Sequence, residues 1–203
     1  MKKLTVVAML MAIIVMTSLA EVEIHLGAKA GVNMANVAGE DVENNSMKIA
    51  FNVGAMADIS LNSLLAIHPE ILYSMKGCKF DNSGIESVIS LDYVEIPVLL
   101  KVTPMKGESF MLGVYAGPYM GIKIAEKLTI DGDEYETEED SYKSTDFGLT
   151  FGVGGDIPMP VGKLSITGGY SMGLVGVNDP PEGVDVSDVK NTNIFVALGL
   201  YLN

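Results

Sequence analysis

The constraint that dominates this chain is a period of two. In its last stretch Ile194, Val196, Leu198, Leu200 and Leu202 fall on one face, and Asn193, Ala197, Gly199 and Asn203 on the other. Such alternation belongs to a β-strand whose two faces meet different surroundings. It recurs in eight stretches, at residues 22–33, 47–59, 65–76, 90–102, 110–124, 145–157, 163–174 and 193–203. Short connections at 60–64, 103–109 and 158–162 alternate with long ones at 35–46, 77–89, 125–144 and 175–191. Short turns at one end and long loops at the other characterise outer-membrane barrels, and an even strand number leaves both termini at the short-turn, periplasmic end. The expected fold is all-β, an eight-stranded antiparallel up-and-down transmembrane β-barrel.

The N-terminus reads differently. Lys2 and Lys3 precede an apolar run from Leu4 to Met16, and Ser18-Leu19-Ala20 offers small residues where a signal peptidase reads them. This predicts a cleavable signal peptide over 1–20 and an outer-membrane β-barrel domain over 21–203. Glu21 rather than a cysteine directly follows the cleavage site, so a lipoprotein anchor is not expected. Past the signal no long apolar run remains, although 48% of residues are hydrophobic and the mean hydropathy is +0.32. The apolarity is spread by alternation, as a barrel requires. Strands fill the domain, so neither a plug nor a peptidoglycan-binding domain is expected.

Charge decides which face points inward. The polar faces carry six lysines, Lys29, Lys48, Lys76, Lys101, Lys123 and Lys163. They also carry six acids, Glu23, Asp58, Glu70, Glu95, Asp146 and Asp156, so the faces sum to zero. The net charge is -13, or -15 without Lys2 and Lys3, and the excess falls to the long loops. Balanced charge suits an enclosed lumen, where a buried ion must be paired. A soluble lipocalin-like barrel would be apolar inside and needs no such balance. Together with His25 and His68 these residues form the predicted lumen charge network. Eight strands enclose a space that side chains can fill, so an open pore is not expected.

The segments Ile67 to Gly77, Leu91 to Val102, Gly113 to Lys123 and Gly168 to Leu174, with the closing Asn193 to Asn203, resemble the small porin-like outer-membrane β-barrel family that includes PorT-type proteins. The Tyr93-x-Glu95-x-Pro97 core is the most specific part of the likeness. The resemblance covers the mature chain and implies an eight-stranded outer-membrane barrel. Some relatives assist secretion to the cell surface. Two features depart from such barrels: the last residue is Asn203 rather than an aromatic, and aromatics make up only 7% of the chain. Phe51, Tyr73, Tyr119, Phe147, Phe151 and Tyr170 are the candidates for the interfacial girdles.

Chemistry-bearing residues are few. Residues 131–140 hold seven acids, and Asp131, Asp133, Glu134 and Glu136 form a weak candidate cation loop. Their spacing lacks the order of a calcium-binding loop, and self-repulsion favours a solvated, extended segment. His25 and His68, with Ser74 and Ser171, could in principle serve a lipid-modifying enzyme. Both histidines fall at the periplasmic end, the wrong leaflet for surface lipid chemistry, and no catalytic residue is assigned. Cys78 is the only cysteine and reads as a small buried residue. Pro69, Pro97 and Pro118 interrupt predicted strands and predict bulges. The chain has no arginine and is acidic, which excludes nucleic acid as a partner. No cofactor is implied. The expected partners are outer-membrane lipid and lipopolysaccharide, the barrel-insertion machinery, and divalent cations held loosely at the acidic loops. The expected role is a non-enzymatic envelope or surface-interaction protein with a charge-paired, mostly closed lumen. A narrow porin, a secretion-accessory barrel and, more remotely, a lipid-modifying enzyme are the alternatives.

Overall fold

The computed structural model describes residues 23–40, 42, 44–82, 84–135, 142–179 and 187–202; the predicted signal segment lies outside them. Every regular element among them is a strand: β1 (Ile24–Ala38), β2 (Asn45–Ser46), β3 (Lys48–Ser60), β4 (Leu65–Asn82), β5 (Ile85–Lys106), β6 (Met111–Ile130), β7 (Asp133–Tyr135), β8 (Thr145–Met159), β9 (Gly162–Gly173) and β10 (Lys190–Leu202). The long strands β1, β3, β4, β5, β6, β8, β9 and β10 pair antiparallel in that order. Pairing of β10 with β1 closes the ring. The fold is an eight-stranded up-and-down barrel, with no free edge around its wall.

Alternation sorts the two faces. Ile71, Val98, Leu100, Val153 and Leu198 stand exposed on the outside, while Lys29, Asp58, Glu70, Lys76, Glu95, Lys101, Asp146 and Asp156 are buried inside. Phe51, Tyr73, Phe147, Phe151 and Tyr170 lie on the outer face, as expected of girdle residues. Tyr119 does not. It is 1% exposed and faces the lumen, because its odd number in β6 places it with Tyr115 and Gly121.

Three strands outrun the wall. A tilted spanning strand needs about 9–11 residues; β4 has 18, β5 has 22 and β6 has 20. The stretch 77–89, expected as a long loop, is instead the end of a continuous β4–β5 hairpin whose last pair is Asn82 with Ile85. Likewise 125–144 begins as strand: β6 runs to Ile130, turns through Asp131 (φ 50) and Gly132 (φ 91), and pairs with β7. Two successive positive φ values fit the tight turn that matches strand twist. With β2 added on β4, these segments form a sheet β2–β4–β5–β6–β7 raised above one side of the barrel.

Polarity inverts where the raised sheet begins. Its outward residues include Lys79, Asp81, Glu86, Ser90, Asp92, Lys127, Thr129 and Glu134, with Val88 and Ala125 as apolar exceptions. Its inward residues include Cys78, Phe80, Ile89, Leu91, Leu128 and Ile130. A wall in hydrocarbon turns apolar side chains out; a sheet in water turns them in.

The prolines do not make the expected bulges. Pro69 faces Val98, Pro97 faces Tyr119 and Pro118 faces Leu149, and the register is the same on either side of each. The strands stay close there: a Cβ on Gly117 would lie 2.2 Å from the Val98 carbonyl oxygen. Two register shifts lie elsewhere in the β5–β6 ladder. One falls between Val102 and Met105, at Pro104, and the other leaves Ile124 as an extra residue opposite Asp92 and Tyr93.

Candidate functional site

Three tiers of side chains fill the lumen. Nearest the short turns, Asp58 collects donors: Lys101 Nζ at 2.7 Å, Lys163 Nζ at 2.8 Å and the Tyr201 hydroxyl at 3.2 Å. Lys101 also donates to Asp156 at 2.7 Å. The His68 ring stands between Asp58 (2.6 Å) and Glu70 (2.8 Å), and Lys29 donates to both Glu70 oxygens at 2.7 and 2.9 Å. Lys163 also lies over the Tyr201 ring, 4.2 Å from its centroid.

The middle tier is neutral. Asn33 donates to the Ser74 hydroxyl at 3.1 Å and accepts from Asn52 at 2.6 Å and Asn193 at 3.1 Å. Thr150 and Ser171 share a hydrogen bond of 2.8 Å. The cavity here is about 20 Å³, lined by Asn52, Glu70, Glu95 and Asn193 among others. That is room for about one water.

The upper tier centres on Lys76, whose ammonium is 2.5 Å from Glu95 and 3.1 Å from Asp146. It also lies 4.1 Å from the Tyr119 ring centroid. Asn191 donates to Asp146 at 3.0 Å and to the Tyr93 hydroxyl at 3.2 Å. Above this tier the Lys48 ammonium donates to the Lys76 carbonyl at 3.1 Å. Lys123 donates to Glu126 at 2.6 Å and to the Tyr142 carbonyl at 2.5 Å. A strap crosses the mouth here: Tyr142 bridges Asn178, Lys143 N–H donates to the Val177 carbonyl at 2.7 Å, and Val177 is fully buried. Burial pushes the Tyr142 phenol up to about 12, so it stays a neutral hydroxyl in the strap.

The structure thus places twelve of the fourteen sequence-predicted network residues inside the lumen. Glu23 and His25 are the other two. They line a polar vestibule of about 250 Å³ at the short-turn mouth, beside Asp58, Lys101, Asp156 and Lys163, and make no ion pair among the described residues. Glu126 was missed by sequence reasoning. Strict alternation from Lys123 puts it outside; the extra residue Ile124 turns it inward to meet Lys123. No sequence signal marks that shift.

The acidic run is not wholly a loose loop. Asp131 is in the β6–β7 turn, Asp133 and Glu134 are in β7, and Glu134 lies 3.4 Å from Lys127. Glu136 lies outside the described residues. No group of three or more metal-ligating side chains gathers among the described residues. Ser74 and Ser171 are held by Asn33 and Thr150, whereas the His68 ring is held by Asp58 and Glu70.

The strands close a barrel with an apolar exterior, and a family model for the outer membrane protein beta-barrel domain matches residues 19–178, well over half of the chain. The chain belongs to that family. It is an outer-membrane β-barrel protein, and the apolar band is its lipid-facing surface. Tyr93, Glu95 and Pro97, the core of the family resemblance, all face the lumen. Among solved structures, Ail of Yersinia pestis is 14% identical, with 89% of this chain and 99% of that chain covered and a TM-score of 0.47. Neisserial surface protein A is 13% identical over 89% and 99%, at 0.44. The outer membrane protein AlkL is 12% identical over 92% and 93%, at 0.48. No curated protein sequence matches the chain.

Proposed function

We propose that this outer-membrane barrel is a non-enzymatic, non-conducting surface protein of a Gram-negative envelope. Its lumen is a charge-paired structural core, and the segments at its long-loop end meet external partners. The observation that carries the reading is the small size of the mid-lumen cavity, about 20 Å³, lying between two tiers of ion pairs. A buried pair that loses one partner leaves an uncompensated charge, so the tiers oppose opening. Planar-bilayer recording of the refolded chain tests this: no discrete current is expected, and steady unitary conductance would overturn it. The vestibule of about 250 Å³ favours a narrow porin as the second reading, and the same recording decides between them.

The chain reaches the membrane after cleavage of residues 1–20, and mass spectrometry of the mature protein should find Glu21 first. Its wall contacts outer-membrane lipid and lipopolysaccharide, and the barrel-insertion machinery assembles it. Divalent cations gather loosely at the acidic tips. Calorimetric titration with millimolar Ca²⁺ or Mg²⁺ should give weak heats, and their complete absence would remove the cations from the list. An unchanged lipid A mass on overexpression is expected of a protein without lipid-modifying activity.

A further inference from the structure

Both ring nitrogens of His68 face carboxylates. Nδ1 lies 2.6 Å from Asp58 Oδ1 and Nε2 lies 2.8 Å from Glu70 Oε1, and the three side chains are no more than 4% exposed. A neutral imidazole offers one N–H and one lone pair. Whichever tautomer forms, its lone pair meets a carboxylate oxygen within hydrogen-bond distance with no proton between them. The Tyr201 hydroxyl does not mend this. Its single proton reaches either Nδ1 (3.3 Å) or Asp58 Oδ1 (3.2 Å), and the 2.6 Å contact between those two atoms is left as it was. The row Asp58–His68–Glu70 therefore lacks one proton for as long as the ring is neutral.

The missing proton belongs on the ring rather than on a carboxyl. Asp58 Oδ2 already accepts from Lys101 (2.7 Å) and Lys163 (2.8 Å), and Glu70 accepts from Lys29 on both oxygens (2.7 and 2.9 Å). Ammonium donors favour the ionised carboxylate. Around the ring, Asp58 on β3, Glu70 on β4 and Asp156 on β8 meet Lys29 on β1, Lys101 on β5 and Lys163 on β9, three charges against three. The phenols of Tyr115 on β6 and Tyr201 on β10 complete the surround. We infer that the Asp58–His68–Glu70 row is a binding site for one proton, which makes His68 an imidazolium donating to both carboxylates. It ties β3 to β4 at Pro69, where the backbone ladder lapses between the pairs Met56–Glu70 and Ile59–Ile67. The tier then has one positive charge over, and the upper tier one negative, Glu95 and Asp146 against Lys76. The inference deepens the charge-paired reading above and rests on it.

The test uses the full mature chain in phosphocholine nanodiscs, labelled with nitrogen-15 at histidine. His25→Gln leaves His68 as the single labelled ring. Imidazole nitrogen shifts tell two ring N–H groups from one. Two are expected at neutral pH, and one overturns the inference. Denaturant unfolding from phospholipid vesicles reads the same proton through stability. His68→Gln supplies one donor and one acceptor, as a neutral ring would. It should raise the unfolding equilibrium constant by about tenfold or more, equivalent to ~1.4 kcal/mol. His68→Lys keeps the charge and has donors for both carboxylates, and should recover part of that loss. A glutamine variant as stable as the parent overturns the inference too. If neither variant folds, the nitrogen shifts decide alone. A silent bilayer with one ring N–H sinks this inference alone; a conducting bilayer with two sinks the closed-lumen reading alone.

Discussion

Strand β5 crosses two solvents, and its faces trade roles between them. From Val94 to Leu100 the even-numbered residues are apolar and face lipid, while Tyr93, Glu95 and Lys101 face a polar interior. From Ile85 to Leu91 the apolar Ile85, Ile89 and Leu91 face inward together with Ser87, while Glu86, Ser90 and Asp92 face out beside Val88. Backbone and pairing partners do not change. The difference shows that side-chain polarity here records what lies beyond each face, hydrocarbon or water, rather than any property of the strand. The same comparison separates two kinds of interior. Below, ions are held by ions; above, Leu91, Cys78 and Val177 are buried as in a soluble protein.

The comparison can be broken or sharpened by substitution. Lys76→Met leaves Glu95 and Asp146 buried without their cation and should cost about 3–5 kcal/mol. Denaturant unfolding from phospholipid vesicles measures it, and adding Glu95→Gln and Asp146→Asn should recover much of the loss. Leu91→Ala, in the raised sheet, should cost about 2–5 kcal/mol by leaving a cavity; a negligible loss would show that this region has no core. Val98→Lys places a charge in the lipid-facing wall and should cost about 2–4 kcal/mol. Val88→Lys, on the same face of the same strand but above the bilayer, should stay within about 0.5 kcal/mol. Equal penalties at the two valines would move the membrane boundary. Smallest of all, Lys79→Met breaks only its pair with Glu86 and should cost about 0–1 kcal/mol.

The barrel was legible because alternation is a property of every spanning strand, and Ile194 to Leu202 display it without interruption. The raised sheet was not legible for a physical reason. At Leu91–Val94 the apolar phase of β5 slips from odd to even positions, and a reading that holds one face apolar must end its strand there. Asp92 on the outer face reinforces that false ending, though it accepts a hydrogen bond from the Tyr73 hydroxyl at 2.5 Å. Face membership of Lys29, Glu70 and Lys76 followed from parity alone. Their partners did not, because closure brings together residues such as Lys76 and Asp146 that lie 70 positions apart. Glu126 escaped because Ile124 shifts parity by one. The prolines misled in the opposite direction: loss of an N–H does not oblige the chain to insert a residue when neighbouring strands keep the register.

Joining β10 to β1 also sets an order of events. Gly27 pairs with Tyr201, so the final seam unites the two most distant strands in the chain. Contacts that span so much sequence form slowly. Until they form, β1 and β10 each expose a row of backbone amides and carbonyls that hydrocarbon cannot solvate. A half-made wall is therefore not a smaller barrel but a species unable to rest in the bilayer. Removing the last strand should abolish insertion altogether rather than weaken it in proportion.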